Sequence, residues 1–156
     1  MSIVKADASN LKEWVQLSAK LFTDESFDEL YKAYADFLIT QKEIGFLYRR
    51  NNRSVAFINV SIRHDYVNGT DTSPVVFIEA LYVLPQYRQQ GIARELLSQA
   101  EQFAKESGVA QLASDCLLQN TNSELFHKSC GFEEKERVIC FVKNVNRGFG
   151  LSESDE

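Results

Sequence analysis

The stretch Val75–Leu97, VVFIEALYVLPQYRQQGIARELL, restricts the fold more than any other part of the chain. An apolar run (Val75 to Ile78, then Leu81 to Leu84) stops at Pro85, and a short polar turn leads to Gly91. Beyond it, Ile92, Ala93, Leu96 and Leu97 recur at helical spacing. The pattern predicts a buried strand, a tight loop and an amphipathic helix. A helix that starts from a loop of free backbone N–H groups is an anion site, and glycine there lets a ligand approach closely. One carboxylate, Glu79, interrupts the apolar strand. A charge in a buried strand needs a physical reason. Plain alternation puts Phe77, Glu79 and Leu81 on one face.

The rest of the chain surrounds this unit with alternating elements. Ser2–Lys5 suits a first strand, and Ser9 suits the N-cap of a helix carrying Leu11, Trp14, Val15, Ser18 and Leu21. Phe27–Gln41 reads as a second helix. Ile44–Arg49 and Val55–Arg63 read as strands around the turn pair Asn51-Asn52, and His64–Val67 extends the second toward Asn68-Gly69. After the central helix, ended by Ser107-Gly108, Gln111–Asp115 reads as a short strand. Asn120–Cys130 reads as a helix closed by Gly131. Phe132–Glu134 and Val138–Lys143 read as two final strands. The expected organisation is one domain over residues 1–145 and a polar tail over 146–156.

Composition narrows the function classes. With 156 residues, 44% hydrophobic and 25% charged, the chain can bury a sizeable core. A net charge of −5 argues against nonspecific binding to nucleic acid or anionic membranes and suits a cationic partner. No apolar run is long enough to span a bilayer, and the N-terminus lacks the pattern of a signal peptide, so a cytoplasmic protein is expected. Three cysteines with no C-x-x-C pair predict free thiols. Two histidines make a metal site an unfavoured expectation.

The loop Arg88-Gln89-Gln90-Gly91-Ile92-Ala93 matches Q/R-x-x-G-x-G/A between a buried strand and a helix. With the later strand and the helix ending in Gly131-Phe132, the chain resembles the GNAT acetyltransferases. That resemblance implies an α+β fold with a splayed, mostly antiparallel mixed sheet flanked by helices, and acetyl-CoA as co-substrate. It implies that Leu81, Tyr82 and Val83 line the pantetheine arm and pair with it as an extra strand would. Arg88, Gln89, Gln90, Gly91, Ile92 and Ala93 would hold the pyrophosphate, and Asn120 would lie across the arm. Longer strings, chiefly Ser61–Val75, Phe77–Glu79, Ala113–Asp115 and Gly131–Val138, look like those of bacterial aminoglycoside 6′-N-acetyltransferases. This closer resemblance implies transfer to the 6′-amine of an aminoglycoside, and a homodimer.

Each candidate site residue has competing roles. Glu79 either handles the proton of the attacking amine or anchors the substrate ammonium; otherwise it is a structural carboxylate bonded to backbone at a strand irregularity. Asp115 binds a second ammonium or caps the following helix. Tyr66 stacks on a sugar ring or is an exposed hairpin aromatic. Phe22, where the family usually has Trp, and Glu25 would wall the acceptor pocket. Glu136 reads as a solvated charge by itself; the resemblance places it at the pocket, from its own or the partner chain. His127, four residues before Gly131, stands where many GNAT enzymes have the Tyr that protonates the leaving thiolate. It either takes that role or only packs beside the cofactor. The rival readings are acetylation of a polyamine or another small amine, and a non-catalytic CoA-binding regulator.

Overall fold

Five strands lie side by side in chain order, and two helical layers cover the faces of the sheet. A computed structural model describes residues 2–146. β1 (Ser2–Lys5), β2 (Ile44–Arg50), β3 (Arg53–Arg63) and β4 (Val75–Val83) are antiparallel, and β5 (Leu112–Ala113) joins β4 in parallel. β2 and β3 form a tight hairpin. Asn51 and Asn52 have φ of 54° and 61°, the left-handed pair that a two-residue hairpin turn needs. The expected splayed, mostly antiparallel sheet is the one observed.

The cross-strand pairs divide the sheet into two faces. Leu47, Phe57 and Asn59 face α1 (Leu11–Leu21) and α2 (Phe27–Thr40); Phe46 and Ile58 face α3 (Ile92–Glu106). Under α1 the fully buried Trp14 donates Nε1–H to Asn59 Oδ1 at 2.8 Å. Asn59 Nδ2 donates to Tyr34 Oη of α2 at 3.0 Å, and Tyr34 is bonded to Ser18. This chain of bonds satisfies the polar groups beneath both helices, where an unpaired amide would be costly. On the other face the Phe46 and Phe103 rings meet edge to face at 6.1 Å.

Several local expectations need correction. The N-cap of α1 is Asn10, whose side chain makes no cap bond to the helix; Ser9 bonds Asp7 instead. β3 ends at Arg63, so residues 64–74 form a loop, with the Asn68-Gly69 turn inside it and Gly69 at φ 86°. β5 is two residues long, not five, because β4 offers it only two partners. No strand forms over Phe132–Glu134 or Val138–Lys143. Their apolar residues suit a sheet, but a strand also needs a neighbour, and none pairs with them among the described residues. The tail expected from residue 146 lies, past that residue, outside those described.

Gly45 is required by packing. A Cβ at Gly45 would lie 2.5 Å from the Trp14 ring. Gly45→Ala is expected to destabilise the protein by about 1–3 kcal/mol through overpacking. Urea denaturation followed by Trp14 fluorescence measures this, and an unchanged midpoint would contradict the close packing.

Candidate active site

Pairing between β4 and β5 stops almost as soon as it begins. Val76 pairs with Leu112 and Phe77 with Ala113, and there β5 ends. β4 continues to Val83 with no strand on that side among the described residues. The strands thus part into a wedge, and a cavity of about 840 Å³ occupies it. Its walls come from β4, the loop leading into α3, Ser114 and Asp115, and α4 (Thr121–Ser129).

One end of the cavity is built for a phosphate-bearing chain. A single 3₁₀ turn, Pro85–Tyr87, leads from β4 into the loop. Arg88 ties the loop down by donating Nε–H to the Val83 carbonyl at 2.8 Å. Gln89 and Gly91 take φ of 61° and 81°. Gly91 is the N-cap of α3, with no side-chain cap, so the first helical amides are left for a ligand. A Cβ on Gly91 would meet nothing of this chain within 4 Å. The backbone conformation therefore asks for glycine there, and crowding within the protein does not. The open edge of β4 from Leu81 to Val83, apart from the Val83 carbonyl that Arg88 takes, offers backbone groups to an amide-containing arm. These residues fit acetyl-CoA.

Not every expected cofactor residue reaches the cavity. Leu81, Tyr82, Val83, Arg88, Gln89, Gly91, Ile92 and Ala93 line it. Gln90 turns away and bonds Arg50. Asn120 caps α4, its Oδ1 accepting from Ser123 N–H at 3.1 Å, while Asn122 and Ser123 form that wall.

The other end holds Glu79. Asn59 pairs with Ala80 and Val60 with Ile78, so Glu79 is an extra residue in β4, a β-bulge. The bulge reverses the alternation behind it: Leu81 pairs with Ile58 on the α3 face, while Phe77 pairs with Ser61 on the other. The expected common face for Phe77, Glu79 and Leu81 is therefore broken after Glu79. Glu79 Oε2 accepts from Ser61 Oγ, and Arg63 pairs with both carboxylate oxygens at 2.9–3.0 Å. The Arg63 guanidinium also lies 3.7 Å from the Phe77 ring centroid. Glu79 bonds side chains here, where the structural alternative had it bonding backbone.

The remaining expected residues are more scattered. Asp115 is exposed at the cavity wall and caps nothing; Asn120 has that task. His127 lines the cavity, with Nδ1 2.7 Å from the Ser123 carbonyl and Nε2 2.8 Å from Ser114 Oγ. Phe22 is half-buried against the core and accepts from Glu25 N–H through its carbonyl. Tyr66 is 70% exposed in the β3–β4 loop, and its hydroxyl accepts from Gly69 N–H at 3.4 Å. Glu136 is exposed in the C-terminal segment. Phe22, Glu25, Tyr66 and Glu136 all lie outside the cavity wall.

Three residues not singled out from the sequence bear on the site: Arg63 and Ser114 line the cavity, and Glu43, outside its wall, interacts with Glu79 through charge. Glu43 immediately precedes β2 and is half-buried. Burial, then the like charge of Glu79, pushes its carboxyl up to about 7, while a hydrogen bond to Asn59 and the charges of Lys42 and Arg63 oppose the shift. Only the tertiary pairing brings these groups together, so spacing gave no signal. The folded value exceeds the ordinary 4.5, so the folded state binds the extra proton between the two. The stability this contributes is full below about pH 4.5 and is lost as pH rises through about 7. Glu43→Gln is expected to be more stable than the parent at about pH 8 by about 1–2 kcal/mol, with no difference near pH 4. Thermal melts across that range test it; a constant difference at every pH would rule out the titration.

The geometry accords with what the chain is similar to. The acetyltransferase (GNAT) family model matches residues 11–132. The chain belongs to the GNAT acetyltransferase family. Its co-substrate is acetyl-CoA, the acyl donor of that family. Within the family, it is 38% identical to the aminoglycoside N(6′)-acetyltransferase type 1 of Acinetobacter haemolyticus over 94% of this chain and 100% of the relative. The enzyme of that name from Acinetobacter baumannii is 40% identical, over 93% of this chain and 99% of the relative. Among solved structures, AAC(6′)-Iy in complex with the bisubstrate analog CoA-S-monomethyl-acetylneamine superposes with a TM-score of 0.88 at 35% identity, covering 92% of this chain and 97% of that one. No helix among the described residues is long and apolar enough to cross a membrane, and no group of side chains there could hold a metal ion.

Proposed function

We propose that this protein transfers the acetyl group of acetyl-CoA to the 6′-amine of aminoglycoside antibiotics. One observation carries the chemistry: a single cavity joins the uncapped start of α3, the open edge of β4 and the Glu79 carboxylate. The substrate follows from the relatives, which carry that activity in their names at 35–40% identity over nearly their full lengths. In this reading the neutral amine attacks the thioester directly, in a ternary complex. Backbone N–H groups near Leu81–Val83 stabilise the oxyanion. Glu79 takes the amine proton or holds the ammonium beside Arg63, and Asp115 binds a further ammonium. Acetylation removes a positive charge from the drug and with it contacts to its RNA target, which is resistance. Dependence on acetyl-CoA and three free cysteines favour a cytoplasmic setting. The catalytic unit is a single domain over residues 1–145.

The same reading makes the protein a homodimer. Val138, Ile139, Phe141, Val142 and Val145 are all exposed, Phe141 and Val142 at 88% and 90%. A run of strand-forming apolar residues left in water is a contact surface. β5 is an edge strand of the sheet. The occupant we assign to this run is the same segment of a second copy, paired about a two-fold axis. Glu136, just before the run, then serves the partner's acceptor pocket.

Mass spectrometry of kanamycin after incubation with acetyl-CoA is expected to show one added acetyl, located on the 6′-nitrogen by fragmentation. A much larger kcat/KM for spermidine would replace the substrate, and binding of acetyl-CoA without CoA release for any amine would favour the regulator. Glu79→Gln is expected to lower kcat by ~10²–10⁴-fold if the carboxylate takes the proton. Asp115→Asn is expected to raise KM for the drug several-fold with kcat nearly kept. Wild-type kinetics in both variants would remove them from the site. Light scattering is expected to give twice the 17.8 kDa chain mass, and Phe141→Asp a monomer; a monomeric parent would overturn the dimer.

A further inference from the structure

His127 and Ser114 form a closed pair in the cavity wall, and their bonds have a direction. A carbonyl oxygen only accepts, so the Nδ1 that lies 2.7 Å from Ser123 O carries a hydrogen. That leaves Nε2, 2.8 Å from Ser114 Oγ, as the acceptor of the serine hydrogen in the neutral ring. Once the ring gains a second proton, Nε2–H donates to Ser114 Oγ and frees the serine hydrogen for a third group. The imidazole is held in place by edge-on contacts to Phe126 at 6.2 Å and Phe132 at 5.2 Å. Both ring nitrogens are engaged, and Ser114 and His127 both line the cavity. Ser114 directly follows Ala113, the last residue of β5 to pair with β4. It therefore stands at the vertex where the strands part, on the same cavity wall system as Glu79.

We infer that Ser114 is the catalytic donor to the departing sulfur of coenzyme A, and that His127 positions it and replaces its proton. The inference rests on the acetyl-transfer reading above. As the tetrahedral intermediate collapses, the C–S bond breaks and its electron pair stays on sulfur. The Ser114 hydrogen passes to sulfur to form the thiol, while Nε2–H of the charged ring passes to Oγ. Serine is regenerated and histidine is left neutral. The substrate ammonium loses two protons in becoming an amide; one goes to solvent and the other restores the ring. The whole step thus releases a single proton, as acylation of an ammonium by a thioester must.

The test follows CoA release by the full-length enzyme with kanamycin. Ser114→Ala is expected to lower kcat about 10²-fold, the low end for a general acid, with KM for acetyl-CoA within about twofold. Ser114→Thr keeps the hydroxyl and is expected to restore most of the rate. His127→Ala is expected to slow the parent but to add nothing in the Ser114→Ala background, as for two members of one relay. Nitrogen NMR of His127 is expected to show a protonated Nδ1 in the parent, with the Nε2 signal moved by Ser114→Ala. An unchanged kcat in Ser114→Ala, or an equal loss from His127→Ala in both backgrounds, would overturn the relay. If the parent turns over spermidine and not kanamycin, the substrate reading fails while the same comparison decides the relay on spermidine. Turnover of neither amine would overturn both.

Discussion

The site depends on one irregular residue in a regular strand. Glu79 is the extra residue of β4 at the bulge opposite Asn59 and Val60. A bulge bends its strand and increases the twist, and here it lies just past the last pair with β5. Strand and neighbour part there, and the gap becomes the cavity. The same shift puts Glu79 beside Ser61 and Arg63, and sends Leu81 to the α3 face. Asn59 secures the other side of the bulge through its bonds to Trp14 and Tyr34. The geometry around Glu79 is thus continuous with the polar network under α1 and α2.

Charge at this end is balanced locally. The cavity-lining cation Arg63 is paired with the Glu79 carboxylate. In the proposed reading an incoming ammonium would share Glu79 with this guanidinium. Glu43 adds a carboxyl whose ionisation is opposed by burial and by Glu79. The charges of Arg63 and Lys42 oppose that shift.

Much of this was legible in the residues. The helical spacing of Ile92, Leu96 and Leu97 after an apolar run gave the strand–loop–helix unit, because periodicity is local and survives without tertiary context. The Asn51-Asn52 turn was readable for the same reason. What failed depended on a partner. Val138–Lys143 has the composition of a strand but no neighbour among the described residues, and β5 is short because β4 turns away from it. The contacts of Arg63, Glu43 and Ser114 could not be read from spacing, since each meets a group from another element: Glu79 for the first two and His127 for the third.

The sequence by itself determined the kind of cofactor end this protein has: a buried strand, a glycine at the start of a helix, and free amides between them. Backbone conformation and hydrophobic periodicity act over a few residues, so a short stretch suffices to specify them. Only the tertiary structure decided the end that holds Glu79. The bulge at Glu79, its pairing with Arg63 and the raised Glu43 carboxyl are set by cross-strand register and by burial, which are properties of the packed sheet and of no single segment.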